Sequence, residues 1–272
     1  RYLDLPHLVA ETLALWVVFT HTFDAWDNSP RLGICSPVPG CGKTTLLSLL
    51  SFVACKPVLA SSVTPAVIFR TIEAYQPTLL IDEADTFLDD NSGFKGILNS
   101  GHNRHAAYVM RCDGDDSHPR KFLTWAPLAI ARIGTFNQTL RERSIIVNMR
   151  KHRPGGNSIE RFQQDQTDEL ETVCSKAARW ANDTLDELSH ADPHMPKLST
   201  DREADNWRPL VAIADAAGGP WPDIARSAAI ELTRLKSEDN SSSVIQLLED
   251  IQEIFEDSTE SQMSSQSICN RL

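Results

Sequence analysis

The sequence predicts an α/β fold, in which helices sandwich a parallel sheet and a smaller helical domain follows. Three observations predict it. Short apolar runs alternate with helical patterns up to residue 150, and the run at 78–81 is apolar throughout, as in a central parallel strand covered on both faces. A glycine-containing loop at 37–45 joins one such run to a helix. Beyond the basic, glycine-rich stretch at 151–156, only helical patterns remain.

Ordinary start and stop signals bound the elements. The first helix is ended by Asp24, Asn28 and Pro30, and the third begins at Thr64-Pro65, with proline at the first helical position. A later helix is expected to begin at Asp205, which has an N-capping side chain. In order, we expect a helix at 7–23, a strand at 31–36, a helix at 44–54, a strand at 57–60, a helix at 64–75, a strand at 78–81, a helix at 94–100, strands at 106–111, 122–131 and 144–149, and helices at 159–189, 206–217, 221–236 and 244–255.

These elements suggest four segments. They are an N-terminal linker helix at 1–30, the sheet-containing core at 31–153, a helical lid domain at 154–236, and a tail at 237–272. The tail opens with a polar, serine-rich linker at 237–243 and is expected to lead into a further C-terminal module. Because the chain begins with Arg1 and not with methionine, we expect it to be part of a longer protein.

Composition limits the function. The 272 residues include 37 acidic and 26 basic ones, for a formal net charge of -11, so a broad basic nucleic-acid surface is excluded and any DNA contact must be local or lie in the pore of an assembly. The six cysteines lack metal-ligand spacing and are expected to be reduced thiols of a cytoplasmic protein. The apolar stretch at 8–23 contains polar residues and is too short for a bilayer, so no membrane partner is expected.

The loop at 37–45 has the chemistry of a phosphate-binding P-loop. Successive backbone N–H groups at a helix N-terminus hold an anion, a lysine reaches the β- and γ-phosphates, and a hydroxyl ligates Mg²⁺. The alternative is a glycine-rich turn that happens to contain Lys-Thr; the preceding strand and the following helix favour the P-loop. Pro37 stands where the usual pattern has glycine. The sequence therefore predicts ATP and Mg²⁺ as ligands of Pro39, Gly40, Cys41, Gly42, Lys43, Thr44 and Thr45.

Asp82 and Glu83 end the apolar strand at 78–81, and we expect that strand to lie beside the one that carries the loop. Asp82 is then placed to bind Mg²⁺ through water, with Thr44 as the other metal-binding residue. Glu83 is placed as the general base that activates the attacking water. The alternative is simply a pair of polar residues leaving a strand. Asp85 is either a supporting carboxylate or a helix-start residue.

The segment from Pro39 to Thr44 resembles the loop of AAA+ ATPases, and the resemblance implies further site residues. A polar residue at the end of the fourth core strand would orient the water, either Thr135 or Asn137, unless each only stabilises a turn. Arg143 would act as a finger in a neighbouring subunit, which implies a homo-oligomer in the form of a ring; the alternative is an intramolecular salt bridge. Arg208 would contact the γ-phosphate from the lid, or else it is a surface arginine.

The polar stretch at 113–121 is expected to be the tip of a hairpin between two strands. His118, Arg120 and Lys121 are of the types that bind nucleic-acid phosphates. Three aspartates share the stretch, however, so a solvated turn is the alternative.

Several blocks together resemble a family of helicase-like P-loop ATPase domains from phage, plasmid and genomic-island proteins, often found beside primase-type modules. Pro37 agrees with that family. The resemblance implies an ATP-driven motor that acts on single-stranded or double-stranded DNA, with itself and a primase or another replication protein as partners. The second hypothesis is an ATP-gated switch that recruits a partner and hydrolyses ATP slowly. The resembling blocks lie at 14–17, 20–21, 36–47, 78–88, 96–102, 125–127, 143–145 and 205–219.

Overall fold

In the computed structural model, residues 1–61, 63–84, 92–113, 118–152, 159–163, 167–256 and 262–269 are described, with the backbone alone at 92, 113, 239–250, 253, 256 and 269. The chain forms two compact units, Arg1–Ile230 and Glu231–Leu272. Asp85, residues 114–117 of the hairpin tip and residues 153–156 of the predicted boundary at 151–156 lie outside the described residues.

Helices and strands alternate through the first part of the chain, as predicted. One-turn 3₁₀ segments also occur at Phe23–Ala25 and Arg104–Ala106. The elements are α1 (Val9–His21), β1 (Arg31–Ser36), α2 (Lys43–Val53), β2 (Pro57–Ala60), α3 (Pro65–Tyr75), β3 (Thr78–Ile81), α4 (Ser92–Ser100), β4 (Tyr108–Asp113), β5 (His118–Leu123), β6 (Leu128–Ile133), α5 (Gln138–Glu142), β7 (Ser144–Asn148), α6 (Asp168–Ser189), α7 (Asp201–Ala217), α8 (Trp221–Glu256) and α9 (Ser265–Cys269).

The main sheet has five strands in the order β2-β3-β6-β1-β7, and every neighbouring pair is parallel. The predicted parallel α/β fold is confirmed. The expectation that β1 and β3 lie side by side was wrong, because β6 lies between them. Their carboxyl ends still meet at one edge of the sheet, which we call the carboxyl edge; the opposite edge is the amino edge.

Helices cover the sheet on both faces, which explains why its strands are apolar without alternation. On one face, side chains of β1, β3, β6 and β7 form a buried core with α3, α4, α5 and the β4–β5 hairpin; Ile68, Phe94 and Phe122 are among its least exposed members. On the other face α2 contacts β1, β3 and β6, while α7 contacts β7. There α1 packs against α6 and α7, with Trp16 and Phe19 fully buried.

Three predicted elements differ from the observed ones. The strand expected at 122–131 is two strands in different sheets, because residues 124–127, which end in Pro127, leave the hairpin before β6 begins. The helix expected to begin near Asp205 begins at Asp201, and its N-cap is Thr200, whose Oγ1 accepts a hydrogen bond from Glu203 N at 3.3 Å. The helix expected from residue 159 begins at Asp168.

The predicted serine-rich linker at 237–243 was also wrong, because α8 continues through it. Serine and asparagine are only mildly unfavourable inside helices, so local composition is a weak guide there. The predicted lid does not form a compact unit of its own, because α6, α7 and the start of α8 belong to the same unit as the sheet. None of the described helices is both long and apolar enough to cross a membrane.

Candidate nucleotide-binding site

The loop between β1 and α2 has the backbone conformation of an anion-binding loop. Gly40 and Gly42 have φ angles of 76° and 85°, which L-residues with a side chain rarely adopt. A Cβ atom on Gly42 would lie 2.7 Å from Leu3 Cδ2, so the N-terminal segment packs directly against the loop. Cys41 is buried, and its thiol donates to Val38 O at 3.2 Å. Successive N–H groups of this loop therefore stand at the N-terminus of α2, where an anion is favoured.

Lys43 is held by Ser36, the last residue of β1. Its Nζ donates to Ser36 Oγ at 2.5 Å, and the Ser36 hydroxyl in turn donates to Val38 O at 2.8 Å. Ser36 is buried, so it fixes the ammonium group at the carboxyl edge. The sequence analysis did not assign Ser36 a role, because no local pattern marks a serine seven residues before the lysine as its partner.

Thr44 and Asp82 meet at the same edge. The Thr44 hydroxyl donates to Asp82 Oδ2 at 2.7 Å, although 38 residues separate the two in the chain. Asp82 N donates to Ala60 O at 2.9 Å, which fixes the end of β3 against β2. A hydroxyl and a carboxylate oxygen are ligands that Mg²⁺ prefers, so the residues present fit a magnesium ion.

Glu83 adopts a strained backbone conformation two residues after the end of β3. Its φ of 52° lies in the left-handed region, and its N–H donates to Asp82 Oδ1 at 2.9 Å. The side chain of Glu83 is exposed, whereas Asp82 and Ala84 beside it are buried. Such strain persists where the surroundings enforce it, often at functional sites.

The segment after β6 lies next to the loop. Gly134 N donates to Ser36 O at 2.9 Å, so Thr135 and Asn137 follow a backbone that touches the end of β1. Thr135 is exposed. Asn137 Oδ1 accepts from Leu140 N at 3.0 Å and caps α5, which is the turn chemistry that the sequence left open as its alternative.

Arg143 lies at the amino edge, away from Lys43. Its carbonyl oxygen accepts from Arg31 N, at the start of β1, while its Nη1 donates to Thr139 O at 2.9 Å. Burial, and next the charge of Arg202, lower the pKa of Arg143. Five strand residues separate the two edges, or about 17 Å. Arg143 cannot therefore reach the loop of its own chain.

Arg208 is likewise not brought to the loop. It donates to Asp192 Oδ1 at 2.9 Å and to Ala191 O at 3.2 Å. Two residues earlier, the buried Asn206 bonds to His102 and to Glu142 O, both near the amino edge. The structure thus shows Arg208 in an exposed ion pair, and its contact with a γ-phosphate stays a prediction.

The three basic residues of the predicted hairpin lie on β5 and are exposed. The hairpin itself is observed, as β4 and β5 pair antiparallel. Arg120 forms an ion pair with Glu73 at 3.0 Å, and Lys121 lies 4.6 Å from the centre of the Tyr108 ring. His118 pairs with Asp113 in the strand register. Two of the three basic groups therefore already have neighbours that hold them.

Comparisons with known proteins give partial matches. A family model described as a protein of unknown function (DUF3631) matches residues 148–272, which begin at the end of β7 and exclude the phosphate loop. An uncharacterized 28.9 kDa protein in the xis 5' region of Saccharopolyspora erythraea is 34% identical over 110 residues, or 40% of this chain and 41% of that protein.

Solved structures resemble the chain only distantly. The unliganded A form of the NrS-1 C-terminal region has a TM-score of 0.40 at 12% identity and covers 96% of this chain and 60% of its own. An inhibitor-bound JCV helicase has a TM-score of 0.33 at 13% identity, over 81% of this chain and 56% of its own. The chain thus spans less than two thirds of the length of each of these three proteins.

Proposed function

We propose that this chain binds ATP with Mg²⁺ at the carboxyl edge and hydrolyses it. The contact between Thr44 Oγ1 and Asp82 Oδ2, at 2.7 Å, is the observation that carries the proposal. It joins the helix that follows a glycine loop to the end of another strand, and it lies next to the lysine that Ser36 holds. A hydroxyl, a carboxylate and an ammonium group in that arrangement match the requirements of a bound triphosphate.

Each residue has a role in this proposal. The loop from Pro39 to Thr45 holds the phosphates through backbone N–H groups, and Lys43 leaves Ser36 to neutralise the β- and γ-phosphates. Thr44 and Asp82 hold the magnesium ion, which supplies charge neutralisation at the phosphate oxygens. Glu83 accepts the proton of the attacking water. Its strained backbone turns the side chain away from the buried Asp82 and Ala84 and towards solvent.

The proposal extends to a homo-oligomer in which one subunit completes the site of another. Arg143 lies about 17 Å from the loop of its own chain, so it can stabilise a γ-phosphate only in a second copy of the chain. Arg143 is partly buried, and its burial and the charge of Arg202 lower its pKa, whereas the carboxylate of Glu142 raises it. A closed ring is one arrangement in which every copy both gives and receives this arginine.

We further propose that hydrolysis drives a DNA-processing motor of the helicase or replication-initiator type. The resemblance of several sequence blocks supports this step, as do the exposed His118, Arg120 and Lys121 on one hairpin. The DNA would be single-stranded or double-stranded, and a primase or another replication protein would be a further partner. The alternative is an ATP-gated switch with slow turnover, which the net charge of -11 favours because it disfavours broad DNA binding.

The rate of phosphate release from ATP, measured with and without single-stranded DNA, tests the catalytic proposal. Lys43→Ala is expected to abolish nucleotide binding and turnover, whereas Glu83→Gln is expected to bind ATP and to lower kcat by a factor of about 100 or more. Lys176→Ala, an exposed lysine on α6, is the matched control and is expected to retain the full rate. Turnover that survives in Glu83→Gln would contradict the assignment of the base. A slow rate that DNA does not change would favour the switch.

Mixing Arg143→Ala subunits with Glu83→Gln subunits tests whether Arg143 acts in a second copy of the chain. Subunits with Arg143→Ala retain their own Glu83, and subunits with Glu83→Gln retain Arg143, so mixed assemblies contain complete sites if Arg143 acts in a second copy. Recovery of activity in the mixture, absent from either variant alone, is the expected result. If Arg143→Ala is as active as Arg179→Ala, its exposed control on α6, the role of Arg143 is refuted.

A further inference from the structure

Two arginines are neighbours of Glu142 near the amino edge. Arg143 follows it in the chain, and Arg202, in the first turn of α7, forms an ion pair with it. Burial and the charge of Arg202 lower the pKa of Arg143, and the charge of Glu142 raises it, so the three side chains lie within range of one another. Because an arginine and a carboxylate in contact neutralise each other, the partner that Glu142 takes decides how much charge Arg143 retains.

Both oxygens of the Glu142 carboxylate are bonded to other side chains. Arg202 Nη1 donates to Oε2, and Gln138 Nε2 donates to Oε1 at 3.1 Å. Arg143 turns the other way, and its Nη1 donates to Thr139 O at 2.9 Å. The carboxylate that is adjacent to Arg143 in the chain is therefore held by two other residues.

The packing of α7 keeps Arg202 beside Glu142. Asn206 lies four residues after Arg202, hence on the same face of the helix, and its Nδ2 donates to Glu142 O at 2.8 Å. Asn206 is buried and also bonds to His102, so the first turn of α7 is held against the end of α5. An exposed ion pair is a weak link by itself, but here a buried amide on the same helix face fixes its position.

An arginine acts on a phosphate through charge that is not already neutralised. A guanidinium group directed at the γ-phosphate stabilises the negative charge that develops there in the transition state. If Glu142 paired with Arg143, that ion pair would have to break before the guanidinium group reached a phosphate, and the released carboxylate would then repel the phosphate. Holding the Glu142 carboxylate elsewhere therefore preserves the charge of Arg143 for a ligand.

We propose that Arg202 holds the Glu142 carboxylate away from Arg143, so that this arginine stays able to bind the γ-phosphate of ATP in a second copy of the chain. The inference rests on the role proposed above for Arg143. Arg202 is then a positioning residue, which acts through Arg143 and does not touch the nucleotide. Gln138 holds the other oxygen of the same carboxylate but has no charge to offset it, so Arg202 is the main partner.

Steady-state ATP hydrolysis by the full chain tests the inference. Arg202→Gln releases Glu142 to pair with Arg143 and is expected to lower kcat about fivefold, with little change in the KM for ATP. Arg202→Lys keeps a positive charge on Glu142 and is expected to retain most of the wild-type kcat. Arg179→Gln is the matched control, because Arg179 is an exposed arginine paired with Asp183 at 2.7 Å, and it should leave kcat unchanged.

Two double variants separate this role from a structural or a direct one. Arg202→Gln/Glu142→Gln removes the competing carboxylate and is expected to restore the wild-type kcat. A direct contact of Arg202 with the nucleotide, or a loss of packing at α7, would not be repaired by a change at residue 142. In Arg143→Ala, the further change Arg202→Gln is expected to have no effect, because the group that Glu142 would neutralise is already absent.

Three results would overturn the inference and leave the proposed function standing. They are an Arg202→Gln protein as active as Arg179→Gln, a double variant Arg202→Gln/Glu142→Gln as slow as Arg202→Gln alone, and an equal loss from Arg202→Gln in the presence and absence of Arg143. A wild-type chain that hydrolyses no ATP, or an Arg143→Ala chain with the wild-type kcat, would instead refute the proposed function at that point, and the inference would fall with it.

Discussion

At the residue scale, the phosphate loop depends on two glycines that differ in their surroundings. Gly40, with φ of 76°, has no atom within 4 Å of the position that a Cβ would take. Gly42, with φ of 85°, has Leu3 Cδ2 at 2.7 Å from that position. An alanine at residue 40 therefore meets backbone strain alone, whereas an alanine at residue 42 meets strain and a steric clash with the N-terminal segment.

We expect Gly42→Ala to lower the free energy of unfolding by about 1–2 kcal/mol and to weaken ATP binding strongly, and Gly40→Ala to cost about 1 kcal/mol; the added loss at residue 42 is small because Leu3 Cδ2 ends a flexible side chain that can move. Gly96→Ala is the matched control. Gly96 lies inside α4 with no positive φ and open space around it, so alanine there should stabilise the protein by up to about 1 kcal/mol. Urea unfolding and ATP titration measure both effects. Equal losses at residues 40 and 42 would contradict the role of Leu3.

The residues predicted at the loop and the strand end were those whose chemistry has few substitutes. A lysine, a hydroxyl and two carboxylates in this context are the groups that the proposed triphosphate site requires, and the structure brings Thr44 to Asp82. Ser36 and Leu3 could not be predicted in the same way. Their roles depend on which side chain happens to fill the space beside Lys43 and Gly42, and that is decided by tertiary packing.

At the element scale, α7 is joined to the amino edge by a buried amide. Asn206 Oδ1 accepts from His102 Nε2 at 2.8 Å, and Asn206 Nδ2 donates to Glu142 O at 2.8 Å. Because Asn206 Oδ1 can only accept, His102 carries its proton on Nε2. The link joins α7 to the end of α5 and to the segment after α4. Sequence reasoning placed Asn206 at a helix start, directly after the expected cap Asp205, because a local pattern does not show that the amide is buried.

His102 makes this junction sensitive to acid. Burial, opposed by the bond to Asn206 and reinforced by the charges of Arg31, Arg143 and Arg202, lowers the pKa of His102 to about 4. The unfolded chain has the ordinary value of 6.5, so it binds more protons than the folded chain between pH 6.5 and 4. Stability from this group is complete above pH 6.5 and is lost as the pH falls towards 4.

We expect the free energy of unfolding to fall by up to about 1.4 kcal/mol per pH unit within that window because of His102. His102→Gln, which keeps a donor for Asn206 but does not titrate, should flatten the curve. His105→Gln, at an exposed position three residues on, is the control and should leave the slope unchanged. Denaturant unfolding at half-unit pH steps measures the slopes, and an unaltered slope in His102→Gln would refute the assignment.

The strands of the sheet were predicted closely, because proline, glycine and charged residues end each apolar run. The hairpin was predicted as well, but β5 and β6 were merged, since Phe122 to Ile133 is a continuous stretch of strand-forming residues with one proline. Only the tertiary fold shows that the chain changes sheets between them. The order of the strands could not be predicted either, because the spacing of strands along the chain does not show that β6 lies between β1 and β3.

At the scale of the whole molecule, the net charge of -11 opposes any polyanion, so the proposed DNA contact must be local. Arg120 and Lys121 on β5 are two exposed cations of the hairpin that can make that contact, although Arg120 is paired with Glu73 at 3.0 Å. A protein that neutralises few phosphates has a weak salt dependence, because each contact with a single strand contributes a slope of about 0.7 to the plot of log K against log salt concentration.

We expect single-stranded DNA to bind in the presence of a slowly hydrolysed ATP analogue with a slope of about -2. In Arg120→Gln/Lys121→Gln that slope should become shallower by about 1.4, since two contacts are lost. Lys176→Gln/Arg179→Gln, two exposed cations on α6, controls for the change in net charge, which is the same in both proteins. Fluorescence anisotropy at four salt concentrations gives the slopes. Long-range effects of net charge act equally on both variants. If the slope becomes equally shallow in both, the salt dependence belongs to the whole acidic molecule, and the hairpin is not the DNA contact.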